Sequence, residues 1–240
     1  MVMGGNGAQA ITTCTHLVAR TPTHNLQLQP ARSRRERRYP PFAREREIED
    51  LRALIEDAGG KARVFGFSSG GVLTLNAAAV SPGIIKVGVY EPALIVDDSR
   101  QPMPADSAQH LTKLAVEGKR EEAIAYFMTQ AMGIPVEYLG GMKQDQTNWS
   151  NMLGLAHTIA YDAAFVGEVT QGKPLPPEHW AEVTMPVLVV DGAMSGDWVH
   201  HSADVLATVL PNASRHTLEG QIHGVDPNAL APVIIDFFQQ

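Results

Sequence analysis

A serine flanked by glycines joins a strand-like segment to a helix-like segment. Residues 62–67 are apolar and of strand length, residues 72–80 form an apolar helical pattern, and residues 66–70 between them read G-F-S-S-G. In this pattern, G-x-S-x-G, the serine occupies a sharp strand-to-helix turn that exposes its hydroxyl group. The glycines are needed because side chains at those points would collide across so tight a turn. The pattern and its setting predict a nucleophile at Ser68.

Strands and helices alternate along the chain from residue 43 onward. The strand patterns lie at 62–67, 84–90, 187–190 and 215–218, and the helical patterns around them at 43–58, 72–80, 201–210 and 227–238. Nearly continuous apolar runs are typical of parallel strands that are buried on both faces. Alternation with helices predicts an α/β fold, with a mostly parallel sheet covered by helices on both faces.

The stretch from Pro104 to about Glu182 follows a different pattern. Its helical periodicities are separated by glycine and proline, and it contains no convincing strand. We therefore expect a helical insertion above the C-terminal edge of the sheet.

A serine hydroxyl is a weak nucleophile at neutral pH, so it needs a base to remove its proton. Histidine usually fills this role because its ordinary pKa lies near operating pH. His223 lies in a loop between the last predicted strand and the last predicted helix. In a parallel sheet this loop emerges at the same edge as Ser68. Six other histidines are less well placed: His110, His157, His179, His200, His201 and His216.

Three segments together resemble the α/β-hydrolase fold family, most closely its small bacterial esterase-like members. They are residues 66–70, residues 186–192 (PVLVVDG) and residues 218–223 (LEGQIH), and the resemblance covers about residues 43–240. It implies a serine hydrolase that cleaves a carboxylic ester or lactone through an acyl-serine intermediate. Ser68 would be the nucleophile, His223 the general base, and the backbone N–H of Ser69 an oxyanion donor.

The resemblance also implies a domain organisation. Residues 43–95 and 184–240 would form the hydrolase core, and residues 96–183 a helical cap that shapes the substrate pocket. Residues 1–42 do not match the family.

The third member of the catalytic triad departs from the usual family pattern. The acid commonly lies three residues after a glycine that follows the penultimate strand, and counting from Gly192 this position is Ser195, which carries no charge. Glu91 follows the strand after the elbow helix, where some family members, certain haloalkane dehalogenases among them, place their acid. We favour Glu91 as the acid, with Asp191 as the next candidate and Asp197 as a third.

The N-terminal segment is atypical. Between Ala8 and Pro41 we find no strand pattern, so we expect the N-terminal strands of the fold to be missing or disrupted. If residues 1–6 are the end of a strand and its loop, the backbone N–H of Asn6 is a second oxyanion donor. Seven arginines fall between residues 32 and 46.

Composition excludes several other classes of protein. The net charge of −7 argues against nucleic acid as the main partner, and no apolar run is long enough to cross a membrane. A single cysteine, Cys14, favours a reducing, cytoplasmic setting. We expect no cofactor and no metal, because the adjacent His200 and His201 cannot both face one ion on a helix. The remaining alternative is an inactive hydrolase-fold protein whose arginine-rich segment binds an anionic partner.

The arginine-rich segment predicts a shift of reading frame upstream of Pro40. Residues 30–39 (PARSRRERRY) can be written in codons that, read one nucleotide later, give R-H-G-R-G-V-S-G-D-T. This string contains R-x-G-x-G-x-S-G, a stretch that the family usually carries at this point. We expect the coding DNA to encode it in the shifted frame, and sequencing the gene checks this. If the shifted frame lacks this string, the arginine-rich segment is instead a genuine basic arm.

Overall fold

A single sheet contains all the strands that the structure, a computed structural model, describes in residues 16–19, 25–28 and 44–240. In chain order these strands are β1 (His16–Ala19), β2 (Asn25–Leu28), β3 (Ala62–Phe67), β4 (Ile84–Tyr90), β5 (Val187–Gly192) and β6 (Ala213–Leu218). Their order across the sheet is β2-β1-β3-β4-β5-β6. Strands β3 to β6 run parallel, which confirms the predicted fold class.

The chain divides into two compact units. The described residues up to Leu94, together with Pro174–Gln240, belong to the first unit, and Ile95–Lys173 forms the second. The helices of the first unit are α1 (Arg44–Asp57), α2 (Ser69–Val80), α8 (Asp197–Val209) and α9 (Pro227–Gln239). The helices of the second are α3 (Ser107–Val116), α4 (Arg120–Tyr126), α5 (Tyr138–Met142), α6 (Gln146–Leu155) and α7 (Ile159–Val166).

Helices cover the sheet of the first unit on both faces. Successive residues of a strand point to opposite faces, so Phe65 and Gly66 of β3 identify the two sides. A Cβ atom at Gly66 would lie 2.5 Å from Thr74 Oγ1, so α2 lies against the Gly66 face. Phe65 packs in a buried apolar cluster with Ile234 and Phe238, so α9 lies against the other face. Burial of each large apolar side chain in such a cluster contributes about 1.5–3 kcal/mol to folding.

The start of α9 follows from its sequence. The side chain of Asp226 accepts a hydrogen bond from the backbone N–H of Asn228 at 2.8 Å, which caps the helix. Pro227 occupies the first turn, where its missing N–H and fixed φ are favourable. The helix therefore begins just after the loop that carries His223, and this fixes one end of that loop.

The regular structure of the second unit is helical, and within residues 95–173, all of them described, no strand forms. A single stretch of π-helix (Phe127–Ala131) continues α4. Helix α3 packs against α4 and α7, with Leu111, Leu114 and Ile124 among the buried side chains. The role of this unit as a cap remains a prediction.

The expectation of no strand between Ala8 and Pro41 is wrong, because β1 and β2 lie there. Strand β1 pairs antiparallel with β2 and with β3, so the backbone edge of β3 is occupied along the paired residues. Unpaired N–H and C=O groups at a strand edge favour such pairing. Each strand has only four residues, too few to produce a clear periodicity in the sequence.

We predict that Gly66→Ala destabilises the protein. The added methyl group would lie 2.5 Å from Thr74 Oγ1 and would also collide with the carbonyl oxygen of Gly70, which is backbone and cannot move aside easily. We expect a loss of about 2 kcal/mol in the free energy of unfolding, measured by urea denaturation. The matched control is Gly224→Ala, since no atom lies within 4 Å of a Cβ there. Equal stability of the two variants would contradict the assignment of Gly66 as a close-approach position.

Candidate active site

Ser68 occupies the sharp turn between β3 and α2 in a strained backbone conformation. Its φ is 53° and its ψ is −124°, and it directly precedes the first residue of α2. The turn is held from both sides: Ser68 N–H donates to the Tyr90 carbonyl at 3.0 Å, and its own carbonyl accepts from the N–H of Gly71 at 2.8 Å. Positive φ in a residue with a side chain costs about 1–3 kcal/mol and persists only where the surroundings enforce it.

Glu91 is the second residue with this type of strain. Among the described residues, positive φ outside glycine occurs at Ser68 and at Glu91, where φ is 40°. Glu91 directly follows β4, and its backbone N–H donates to the Val190 carbonyl at 2.9 Å. Strained backbone of this kind clusters at functional sites. Both residues were selected from the sequence as catalytic candidates.

The sheet register aligns the ends of β3 and β4 with Val190, close to the end of β5. Phe67 of β3 pairs with Tyr90 of β4, and Tyr90 pairs with Val190 of β5. The residues that directly follow Phe67, Tyr90 and Val190 in the chain are Ser68, Glu91 and Asp191, respectively. Parallel strands end at the same edge, so two of the three acid candidates lie level with the serine.

The Glu91 carboxylate contacts the predicted base. Its Oε2 lies 2.7 Å from Nδ1 of His223, and its Oε1 accepts hydrogen bonds from the Gly192 N–H at 2.9 Å and from the Ser195 hydroxyl at 2.5 Å. The Glu91 side chain is 2% exposed, whereas His223 is 35% exposed. Burial of a carboxylate costs free energy unless the carboxylate is hydrogen-bonded, and both oxygens of Glu91 have hydrogen-bond partners.

Two aromatic residues hold the loop that carries His223. The hydroxyl group of Tyr90 donates to the carbonyl of Ile222 at 2.8 Å, one residue before the histidine. The ring of Phe67 lies 4.9 Å from the His223 ring, between centroids, and stacks on Tyr90 at 5.6 Å. The position of His223 is therefore fixed by its loop backbone and by the contact of its ring with Phe67.

Burial keeps the Tyr90 hydroxyl protonated. Burial is the largest cause that raises the pKa of Tyr90, and the negative charges of Glu91 and Asp191 add to it. The pKa of Tyr90 is thus well above its ordinary value, and the phenol remains a donor to the His223 loop over the range in which most proteins are folded.

Asp191 takes part in a different network. Its carboxylate accepts two hydrogen bonds from the Arg215 guanidinium, at 2.9 and 2.8 Å, and one from Thr217 at 3.1 Å. The carboxylate also lies 2.6 Å from Nδ1 of His200. Burial alone would raise the pKa of Asp191, but the hydrogen bonds from Arg215, His200 and Thr217 outweigh it and hold the pKa below its usual range.

The structure therefore brings Glu91, and neither of the other acid candidates, into contact with His223. Asp191 is bound to Arg215, and Asp197 is exposed as the first residue of α8. Ser69, the predicted oxyanion donor, is the first residue of α2, where backbone N–H groups point out of the helix end. Asn6 lies outside the described residues.

Comparisons with known proteins identify the family. The chain is 43% identical to an α/β hydrolase from Sphaerobacter thermophilus, over 89% of this chain and 81% of that chain, with a TM-score of 0.79. The chain belongs to the α/β-hydrolase family. This confirms the resemblance found in the sequence and supports hydrolase activity in general.

More distant α/β-hydrolase structures share the fold. A hydrolase from Pseudomonas aeruginosa is 16% identical over 90% of this chain and 79% of its own, with a TM-score of 0.63. An enol-lactonase from Burkholderia xenovorans is 18% identical over 83% and 74%, with a TM-score of 0.57. No family model matches the sequence, and no curated protein is significantly similar to it.

Two contacts in this hydrolase were missed from the sequence. The hydroxyl groups of Ser195 and Tyr90 take part in the site, yet neither residue carries a charge or belongs to the serine motif. The sequence singles out Ser195 only because it stands where an acid is expected.

Across the described residues, no group of three or more His, Cys, Asp or Glu side chains is arranged to hold a metal ion, and no helix is long and apolar enough to cross a membrane.

We predict that the Asp191 network makes this hydrolase sensitive to acid. Because the pKa of Asp191 is lower in the folded state than in the unfolded state, its contribution to stability is present above about pH 4. That contribution is lost as the pH falls from there through the lower pKa of the folded state. Urea denaturation between about pH 7 and pH 3 measures it.

The variant Asp191→Asn should be about 3 kcal/mol less stable at neutral pH, because Arg215 loses its buried partner, and its stability should depend less on acid. The control is Asp204→Asn, which removes a 63% exposed partner of the same arginine and should cost less than about 1 kcal/mol. Parallel acid profiles for wild type and Asp191→Asn would contradict the prediction.

Proposed function

We propose that this α/β hydrolase is a serine hydrolase that cleaves a carboxylic ester or lactone through an acyl-serine intermediate. The observation that carries the proposal is the 2.7 Å contact between Nδ1 of His223 and the buried carboxylate of Glu91, at the sheet edge where Ser68 occupies its strained turn. A base held by an acid, at the same sheet edge as a serine in this conformation, supports the arrangement that acyl transfer requires.

In the proposed mechanism, the Ser68 hydroxyl oxygen attacks the carbonyl carbon of the substrate. His223 accepts the hydroxyl proton at Nε2, the ring nitrogen that does not face Glu91. The tetrahedral intermediate collapses, the C–O bond to the alcohol breaks, and the imidazolium returns the proton to the leaving oxygen. Water then attacks the acyl-serine by the same steps in reverse order, which releases the acid and restores Ser68.

Glu91 supports each proton transfer without itself becoming protonated. Its carboxylate fixes the tautomer of His223, with the proton on Nδ1, and stabilises the imidazolium that forms when Ser68 attacks. Because the Glu91 side chain is 2% exposed, water screens this interaction only weakly. The N–H of Ser69 at the start of α2 would stabilise the negative charge on the substrate oxygen. The cytoplasmic setting indicated by the single cysteine remains part of this proposal.

We predict that turnover of p-nitrophenyl esters depends on all three residues. Ser68→Ala and His223→Ala should each lower kcat by at least about 10³-fold, because nucleophile and base act as a unit. Glu91→Gln should lower kcat by about 10³- to 10⁴-fold, since a neutral amide cannot stabilise the imidazolium and favours the wrong tautomer.

The matched control for the acid is Asp197→Asn, an equally conservative change of an exposed carboxylate, which should leave kcat within about twofold. Full activity of Glu91→Gln combined with loss of activity in Asp197→Asn would reverse the assignment of the acid. Full activity of Ser68→Ala would overturn the proposed function as a whole.

A further inference from the structure

The hydroxyl group of Ser195 is hydrogen-bonded to Glu91, the acid of the proposed triad. Its Oγ donates to Oε1 of Glu91 at 2.5 Å, on the carboxylate oxygen that does not face the histidine. The same oxygen accepts from the N–H of Gly192. The two donors occupy Oε1, which leaves Oε2 directed at His223.

We propose that Ser195 is a positioning residue that orients the carboxylate of Glu91 against His223. The inference rests on the proposed function and deepens it, because it adds a hydrogen-bond donor, Ser195, to the pair of Glu91 and His223 in the proposed triad. Ser195 contacts neither the imidazole nor the reacting atoms in this arrangement and acts only through Glu91.

The turn that carries Ser195 is tied to the loop that carries the base. Ser195 N–H donates to the Gly192 carbonyl at 3.0 Å, which closes the turn after β5. Between these residues, Met194 N–H donates to the carbonyl of Gln221 at 2.8 Å, two residues before His223. The hydroxyl that holds the acid is therefore placed by the same backbone segment that places the base.

The Glu91 carboxylate needs a second hydrogen-bond donor because its own side-chain torsions do not fix its orientation. Its terminal carboxylate torsion has a broad, weakly defined preference, so local geometry alone does not fix which oxygen faces His223. A single N–H donor allows the carboxylate to pivot about that bond, whereas two donors on one oxygen define its plane. Hydrogen bonds to an ionised acceptor are roughly twice as strong as neutral ones, so the hydroxyl group makes a substantial contribution.

A purely structural role fits the surroundings of Ser195 less well. The backbone N–H of Ser195 already closes the turn, so its hydroxyl group is not needed for that purpose. Its side chain is only half-buried, and removing the hydroxyl leaves no large cavity. The hydroxyl instead supplies one of the two donors on the buried oxygen of Glu91.

The first test is the kinetics of Ser195→Ala and Ser195→Thr with a p-nitrophenyl ester. We expect Ser195→Ala to lower kcat about tenfold with KM unchanged, because a hydrogen bond to a charged group is commonly worth about this factor. Ser195→Thr retains the hydroxyl group and should recover activity to within about twofold. The matched control is Ser214→Ala, an exposed serine of β6, which should behave as wild type. A change of less than about twofold in Ser195→Ala would overturn the proposal.

A double-mutant cycle that combines Ser195→Ala with Glu91→Ala separates an effect of Ser195 through Glu91 from an effect that does not depend on Glu91. The readout is the rate at which a fluorophosphonate labels Ser68 with release of fluoride, which remains measurable in slow variants because one labelling event suffices. We expect the Ser195→Ala change to slow labelling about tenfold when Glu91 is present and less than about twofold when it is absent. An equal loss in both backgrounds would mean that Ser195 does not act through Glu91, and the proposal would fail.

Proton NMR supplies a readout that needs no turnover. The proton between Nδ1 of His223 and Oε2 of Glu91 should give a downfield resonance that disappears in Glu91→Ala, moves or broadens in Ser195→Ala, and returns in Ser195→Thr. An unchanged resonance in Ser195→Ala would refute the positioning role. Absence of Ser68-dependent esterase activity would refute the proposed function instead, and the NMR result would still decide the role of Ser195.

Discussion

The parallel register of β3, β4 and β5 is the constraint on which the arrangement at the sheet edge depends. Phe67, Tyr90 and Val190 are level across the sheet, and the backbone ladder continues one step beyond them through hydrogen bonds from Ser68 and Glu91. A shift of one residue in this register would turn every side chain to the other face of the sheet. Ser68 and Glu91, the proposed nucleophile and acid, are therefore placed first by backbone pairing and only then by their own contacts.

Two buried carboxylates at this edge have different partners because their backbones differ. Glu91 has positive φ and leaves β4, so its side chain reaches Gly192 and His223, whereas Asp191 stays within β5 and binds Arg215. A carboxylate paired with a guanidinium has its charge largely compensated and offers little to an imidazolium. Glu91 has an N–H and a hydroxyl as its other donors, so its charge remains available to the histidine.

Much of the architecture could be predicted from the sequence, because strands buried on both faces and amphipathic helices have distinct periodicities. Ser68 and His223 were selected by motif and by position at one edge. The sequence favours Glu91 over Asp191 and Asp197 but does not decide among them, since the decision depends on the backbone torsion of Glu91 and on side-chain direction, neither of which a pattern encodes. The contact of Ser195 with Glu91 could not be predicted, because an uncharged hydroxyl has no signature in a sequence until its neighbour is known. Strands β1 and β2 are too short to be recognised without their partner β3.

Tyr90 and Glu91 are neighbours in the chain, yet each contacts a different part of the segment that carries His223, the proposed base. The Tyr90 hydroxyl fixes the backbone of the loop at Ile222, and the Glu91 carboxylate fixes the ring of His223. A displacement of β4 along the sheet therefore moves Glu91 and the Tyr90 anchor of the His223 loop in the same direction. The contact between Glu91 and His223 thus depends less on the exact position of β4 than it would if the two side chains were anchored on separate strands.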